Sequence, residues 1–159
     1  MKTNATRQLD NLGITYELRD YQVDLDDLGA IKVASQIGLP ANQVFKTLCA
    51  KGDDGTILLA VVPGDCELHL KALARLAGKR SVELVPVNQL KQLTGYVRGG
   101  VTALAGKKNY PVYIDDSALG FPAIAVSAGV RGTQIVLAPQ DYIRATAATS
   151  GAIARKPGS

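Results

Sequence analysis

The chain of 159 residues has few of the side chains on which most enzymes rely. It contains one histidine, two cysteines, one methionine and no tryptophan. A Ser-His-Asp triad or a Cys-His pair would have to use His69, and a metal site built from several histidines is excluded. Cys49 and Cys66 show neither a CxxC motif nor the spacing of zinc ligands, so we expect no metal and no cofactor. Any chemistry must then depend on lysine, on backbone amides or on groups that the substrate brings.

Long hydrophobic runs are also missing. The first residues lack the apolar stretch of a signal peptide, and the apolar run 57–63 is far too short to span a bilayer. We therefore expect a soluble, cytoplasmic protein with reduced cysteines and no membrane partner. The net charge of +4 and the pI of about 9.1 suit an anionic partner, but a slightly basic surface without a partner explains them as well.

The remaining composition, 47% apolar and 20% charged, is typical of a packed globular domain. Hydrophobic periodicity and turn residues predict helices at 6–12, 30–37, 67–77, 86–94 and 139–147, and strands at 14–21, 43–50, 56–62, 81–85, 110–114, 123–127 and 134–138. Their irregular order favours an α+β fold with a mixed sheet over a regular βαβ array. We expect one domain over residues 1–159, with its core at 6–148 and a flexible tail at 149–159.

Lys46 is a lone cation among apolar neighbours in a predicted strand. A strand lysine often lays its stem on apolar surface and keeps its ammonium in water, so the residue alone indicates little. The cations Lys71, Arg75 and Lys79 recur every four residues along a predicted helix. They form either a phosphate-facing stripe or an ordinary solvated helix face.

Two segments are rich in glycine. In the first, 95–108, the pair Gly99 and Gly100 allows positive φ and leaves backbone N–H groups accessible to a carbonyl or phosphate, although it could equally be a tight connection. A P-loop is excluded, because five residues rather than four separate Gly100 from Gly106 and a lysine follows the Gly-Lys pair. The second segment, 127–132, taken alone, predicts a hairpin turn with an exposed arginine.

In combination these segments resemble a known family. The order of 44–48, 94–102, 106–108 and 127–132 closely resembles the YbaK family of free-standing aminoacyl-tRNA editing domains, related to the editing insertion of bacterial prolyl-tRNA synthetases. The resemblance covers about residues 6–148 and is nearest to the branch that deacylates Cys-tRNA(Pro). It implies a mixed, strongly curved, barrel-like sheet flanked by helices, with a cleft beside the strand of Lys46.

The resemblance also implies roles for individual residues. Lys46 would bind the anionic 3′ end of the tRNA, and an aromatic hydroxyl near the cleft falls on Tyr21. The residues expected to hold the aminoacyl group are Gly99, Gly100, Val101, Thr102, Ala103, Ser127, Gly129, Arg131 and Gly132. The residues expected to contact the acceptor stem are Lys71, Arg75, Lys107 and Lys108, with Arg131 as a further contact.

The chain departs from the family pattern at three positions. Ala103 replaces a loop proline, which would have fixed φ and stiffened the loop. Ala105 stands where close relatives carry glycine, and Gln134 stands where some members carry an acid. No carboxylate is therefore assigned a catalytic role.

The implied function is trans-editing: deacylation of mischarged Cys-tRNA(Pro), in which the substrate's thiol attacks its own ester carbonyl and releases a thiolactone. No protein nucleophile is needed, in keeping with the sparse catalytic equipment. One alternative is deacylation of Ala-tRNA(Pro) or another mischarged tRNA. Another is a non-catalytic module that binds tRNA or a synthetase. The implied partners are tRNA and prolyl-tRNA synthetase, with no DNA.

Overall fold

The computed structural model describes residues 2–106 and 108–158, in which helices and strands interleave. The helices are α1 (Asn4–Asn11), α2 (Ala30–Ile37), α3 (Leu70–Ala77), α4 (Leu90–Thr94) and α5 (Pro139–Thr146). The strands are β1 (Glu17–Asp20), β2 (Phe45–Gly52), β3 (Ile57–Pro63), β4 (Glu67–Leu68), β5 (Val82–Leu84), β6 (Val112–Asp115), β7 (Ile124–Ser127), β8 (Thr133–Leu137), β9 (Thr149–Gly151) and β10 (Ala154–Arg155). The predicted α+β class is confirmed.

Three sheets organise these strands. The largest has the order β5-β2-β3-β6-β9, with parallel pairing at β3–β6 and β6–β9 and antiparallel pairing elsewhere, so the predicted mixed sheet is confirmed. The second sheet, β1-β8-β7, is antiparallel, and β4 pairs with β10. Within the described strands the sheets stay open, so the expected barrel-like closure is not found.

The helices form where apolar spacing and capping residues agree. Helix α2 has the predicted bounds, because Gly38 ends it in the left-handed conformation at φ 76°. The predicted helix 67–77 begins three residues later than expected, since β4 pairs with β10 and His69 then caps α3: its Nδ1 accepts the Ala72 N–H at 2.9 Å. The single histidine thus has a structural partner. The predicted helix 86–94 is split into a turn of 3₁₀ helix at Val87–Gln89 and α4.

Three apolar clusters hold the layers together. One fills the space between the two larger sheets, and Leu59, Ile114 and Ile135 are among its buried members. A second lies between the large sheet and α3, where Leu73 is fully buried, and a third lies between the small sheet and α2. No helix among residues 2–106 and 108–158 is long and apolar enough to cross a membrane.

The expected flexible tail is wrong for residues 149–155. Strand β9 extends the large sheet, β10 pairs with β4, and Ile153 between them is fully buried. The buried carboxylate of Asp115 accepts the N–H groups of Ile153 and Ala154 at 3.0 and 2.9 Å. Ile153 is the only large apolar side chain in residues 149–155, and the Asp115 carboxylate that binds the backbone lies far away in the sequence, so the sequence did not indicate this order.

The edge of β2 is where the fold leaves space for a ligand. Strand β5 pairs with Ala50–Gly52, so the first half of β2 has no strand partner on that side among the described strands. The start of β2 instead approaches β7, through a parallel bridge between Val44 and Ala125. The start of α2 and the loop after α4 close the space around this open edge.

Candidate functional site

A cleft of about 490 Å³ lies along the open edge of β2. Residues of β2 and the preceding Val44 form one wall, and the start of α2, the β5–α4 segment and the loop after α4 form the others. The lining residues are Leu28, Gly29, Ala30, Val33, Val44, Phe45, Lys46, Thr47, Leu48, Cys49, Leu84, Val85, Val87, Leu90, Arg98, Gly99, Val101, Ser127 and Gln134. Four of these lining residues were predicted from the sequence, namely Lys46, Gly99, Val101 and Ser127.

Lys46 presents a half-buried ammonium to this cleft. Its Nζ donates to the carbonyl oxygen of Gly64 at 3.4 Å, and it takes part in none of the ion pairs formed among the described residues. Burial lowers the pKa of Lys46, and the neighbouring Cys66, Asp65 and Glu67 partly oppose the shift. A cation with one long hydrogen bond is well suited to receive an anion.

Backbone groups of β2 are also available at the open edge. Cys49 O accepts from Val85 N, and Leu59 N donates to Pro111 O, so Cys49 and Leu59 do not bond to each other although they are paired in register. Hydrogen bonding alternates along an antiparallel pair. The N–H and C=O of Thr47 therefore point away from β3 and toward the cleft.

In the loop after α4, the N–H of Gly100 forms a hydrogen bond within the loop, whereas those of Gly99 and Val101 are available to the cleft. Gly99 has φ 86°, a conformation that favours glycine. Gly100 N donates to Val97 O at 2.9 Å and Gly100 does not line the cleft, so its N–H is not available to hold a carbonyl oxygen as expected. Within the described part of the chain, no acceptor is found for the N–H groups of Gly99 and Val101, which both line the cleft.

Arg131 ties the two glycine-rich segments together. Its Nε donates to Arg98 O at 2.8 Å, directly beside Gly99. Arg131 thereby supports the loop from behind rather than lining the cleft, whereas Arg98 does line it. Arg98 was not predicted as a site residue from the sequence, although it directly precedes the pair Gly99 and Gly100.

Ser127 and Gln134 face each other across β7 and β8, and both line the cleft. Ser127 Oγ accepts the N–H of Gly129 at 3.1 Å. Gly129 and Gly132 have φ of 91° and 98° and shape the turn between the strands without lining the cleft. These two glycines therefore shape the backbone beside the site and are not part of its lining.

Tyr21 lies outside the cleft lining. Its backbone N–H donates to Gly132 O at 2.9 Å, and its side chain packs against the cluster beneath α2. A place for the Tyr21 hydroxyl near the cleft, as the resemblance implied, stays a prediction.

Thr102, Ala103 and Lys108 line a second, smaller cavity of about 200 Å³, together with Gln8 and Tyr110. The loop expected to surround one aminoacyl group is thus shared between two cavities. Lys71 and Arg75 lie on the exposed face of α3, away from the cleft lining. Lys107 lies outside the described residues.

The cleft carries positive charge, and its described lining includes no activated nucleophile. Lys46 and Arg98 are its cations, and none of the described lining residues is Asp, Glu or His. Burial raises the pKa of Cys49 to about 11, so this thiol stays protonated near neutral pH and is a poor nucleophile. The arrangement can bind an anion, orient a carbonyl beside free N–H groups and exclude water with apolar walls.

Comparison with known proteins gives the family. The model of a family described as "Aminoacyl-tRNA editing domain" matches residues 28–145. A protein of Enterococcus faecalis (strain ATCC 700802 / V583), named "Putative Cys-tRNA(Pro)/Cys-tRNA(Cys) deacylase EbsC", is 39% identical over 145 residues, which are 91% of this chain and 88% of the relative.

Solved structures agree on the fold. The hypothetical protein APE2540 has a TM-score of 0.87 at 25% identity, over 96% of this chain and 100% of the other. A protein described as "a putative trans-editing enzyme for prolyl tRNA synthetase" has a TM-score of 0.82 at 23% identity, over 98% and 99% of the two chains. At 23% identity, this second likeness shows a shared fold and nothing further.

Proposed function

The chain belongs to the aminoacyl-tRNA editing domain family, and we propose that it clears Cys-tRNA(Pro) in trans by cleaving the cysteinyl ester. The observation that carries this proposal is a half-buried Lys46 without an ion-pair partner among the described residues, in one cleft with the unpaired backbone N–H groups of Gly99 and Val101 and with no activated nucleophile among the described lining residues. Such a site favours a substrate that supplies its own nucleophile. The name of the 39% identical relative supports the same substrate.

In this proposal Lys46 binds the phosphate of the terminal nucleotide. The anion replaces the long contact to Gly64 with a charge-assisted hydrogen bond, which is shorter and stronger. Arg98 supplies a second positive charge in the same cleft. The 3′ end of the tRNA is thereby placed along the open edge of β2.

The N–H groups of Gly99 and Val101 hold the ester carbonyl oxygen. As the sulfur attacks, negative charge develops on this oxygen, and fixed N–H donors stabilise it more in the transition state than in the ground state. Gly100, whose N–H is already bonded to Val97 O, contributes the turn and not a donor.

The reaction is an intramolecular acyl transfer. The cysteinyl sulfur forms a bond to its own carbonyl carbon, the ester C–O bond breaks, and the thiol proton ends on the ribose hydroxyl that leaves. The product thiolactone then reacts with water and gives free cysteine. A thiol is nucleophilic enough for this step even though only a few per cent is ionised near neutral pH.

An alanyl ester is disfavoured on the same grounds. It has no thiol, so its hydrolysis requires a water molecule and a base, and the described lining residues include no Asp, Glu or His.

Prolyl-tRNA synthetase is the proposed source of mischarged tRNA(Pro), because a prolyl site discriminates poorly against amino acids of similar size. Lys71, Arg75, Lys107, Lys108 and Arg131 are proposed contacts to the tRNA body.

The test compares cysteinyl-, S-methylcysteinyl- and alanyl-tRNA(Pro) as substrates. Release of cysteine, with the thiolactone trapped in the first turnovers and no release from the S-methyl ester, is expected. Equal release from the alanyl ester would indicate attack by water and the broader substrate. Binding of all three tRNAs without release would indicate a non-catalytic module.

A further inference from the structure

Gln134 carries a polar atom that has no hydrogen-bond partner among residues 2–106 and 108–158. The residue lies on β8, is 5% exposed and lines the cleft. Its Oε1 is buried and accepts no hydrogen bond within the described part of the chain. A carbonyl oxygen that has lost water without gaining a donor lowers the stability of the folded protein. A donor on a ligand would remove that cost.

The strand register places the Gln134 side chain on the face of the sheet that borders the cleft. Tyr21 N donates to Gly132 O and Ala128 N donates to Thr133 O, so the backbone of Gln134 bonds toward β1 and its pairing with Ser127 is of the non-hydrogen-bonded kind. Side chains in such a pair lie close together on one face of the sheet. That face meets the start of α2, where Ala30 and Val33 also line the cleft.

The cations, the loop N–H groups and Ser127 of the cleft have different tasks in the proposed function, on which this inference rests. Lys46 and Arg98 are donors and suit the phosphate, and the N–H groups of Gly99 and Val101 suit the ester carbonyl. Ser127 Oγ already accepts a hydrogen bond from Gly129. The group of an aminoacyl ester that still needs an acceptor is its α-amino group.

We propose that Gln134 Oε1 accepts a hydrogen bond from the α-amino group of the aminoacyl ester, so that the cleft selects esters whose amino group is free. The contact would fix the rotation about Cα and place the thiol over the carbonyl carbon. An N-acylated ester, such as a peptidyl or formylated one, lacks the free amine and carries a bulky group toward the apolar start of α2. Gln134 is therefore a specificity-determining residue.

The experiment uses two substrates that differ only in the amino group, cysteinyl-tRNA(Pro) and its desamino analogue, 3-mercaptopropionyl-tRNA(Pro). The enzymes are wild type, Gln134→Met, which keeps the length but removes the amide, and Gln134→Glu, which keeps an acceptor. Gln140→Met, at an exposed position on α5, is the control for the substitution itself. The kcat/KM of each enzyme on each substrate and its Tm are measured.

We expect wild type and Gln134→Glu to prefer the cysteinyl ester, and Gln134→Met to lose about tenfold of that preference. The Tm of Gln134→Met should equal or exceed that of wild type, because the variant lacks the buried Gln134 Oε1, which has no hydrogen-bond donor among the described residues. An unchanged preference in Gln134→Met, or an equal loss on both substrates with a lower Tm, would overturn the inference and leave deacylation intact. A wild type that releases neither acyl group would overturn the proposed function itself.

Discussion

The ammonium of Lys46 lies 3.4 Å from the carbonyl oxygen of Gly64, the residue that directly follows β3. A Cβ at position 64 would lie 2.8 Å from the Cβ of Ala30 and 2.9 Å from the carbonyl oxygen of Val44. Ala30 and Val44 line two walls of the cleft. Gly64 thus allows the start of α2 to pack close to β2 and also holds the lysine between them.

Gly64→Ala is expected to lower stability by about 1–3 kcal/mol, because the added methyl group has no space and its neighbours include backbone atoms. The start of α2 must shift, and deacylation should weaken with it. Thermal unfolding and initial rates measure both effects. Gly120→Ala is the control, since nothing lies within 4 Å of a Cβ at that position. Equal Tm values for the two variants would contradict the packing described for Gly64.

Cys49→Ala should keep its deacylase activity. This thiol lines the cleft, but burial raises its pKa to about 11, so it is not ionised at working pH and should not act as the nucleophile. The loss of its packing should cost about 1 kcal/mol, measured by denaturant unfolding. Loss of activity in a variant that remains folded would show that a protein thiol takes part in the reaction.

Lys46→Arg should change the pH dependence of tRNA binding. The pKa of Lys46 lies below its ordinary value of 10.5 because of burial, and the bound anion requires the charged form. Affinity for uncharged tRNA(Pro) should therefore fall as the pH rises through this lowered pKa, whereas an arginine stays charged and should flatten the decline. Equilibrium binding from pH 7 to pH 10 measures the difference. Parallel curves would argue against contact between Lys46 and the anion.

Asp115→Ala should release the C-terminal strands. The substitution removes the acceptor of three backbone N–H groups, Ile153 N and Ala154 N in the C-terminal segment and Ser117 N beside Asp115, and each unsatisfied group costs about 1–3 kcal/mol. Limited proteolysis should then cut within residues 149–158, while the exposed neighbour variant Asp116→Ala should resist like wild type. Equal cleavage of both variants would mean that Asp115 does not hold this segment.

Local signals predicted much of the fold and part of the site. Helix α2 has the expected bounds because its apolar spacing and Gly38 agree, and the glycines around Gly99 indicated a loop that approaches a ligand. The C-terminal segment was missed, since its order depends on the distant Asp115. Gln134 and Arg98 acquire their places only when β8 and the loop after α4 meet at the open edge of β2.

The central claim is that the ammonium of Lys46 anchors the tRNA end for ester cleavage. Its most direct test measures release of cysteine from Cys-tRNA(Pro) by wild type, Lys46→Ala and Lys51→Ala. Lys51 is an exposed lysine on the same strand that does not line the cleft, so it controls for the loss of one positive charge. The account predicts that release is lost in Lys46→Ala and retained in Lys51→Ala, with both proteins folded. Full activity in a folded Lys46→Ala variant would contradict it.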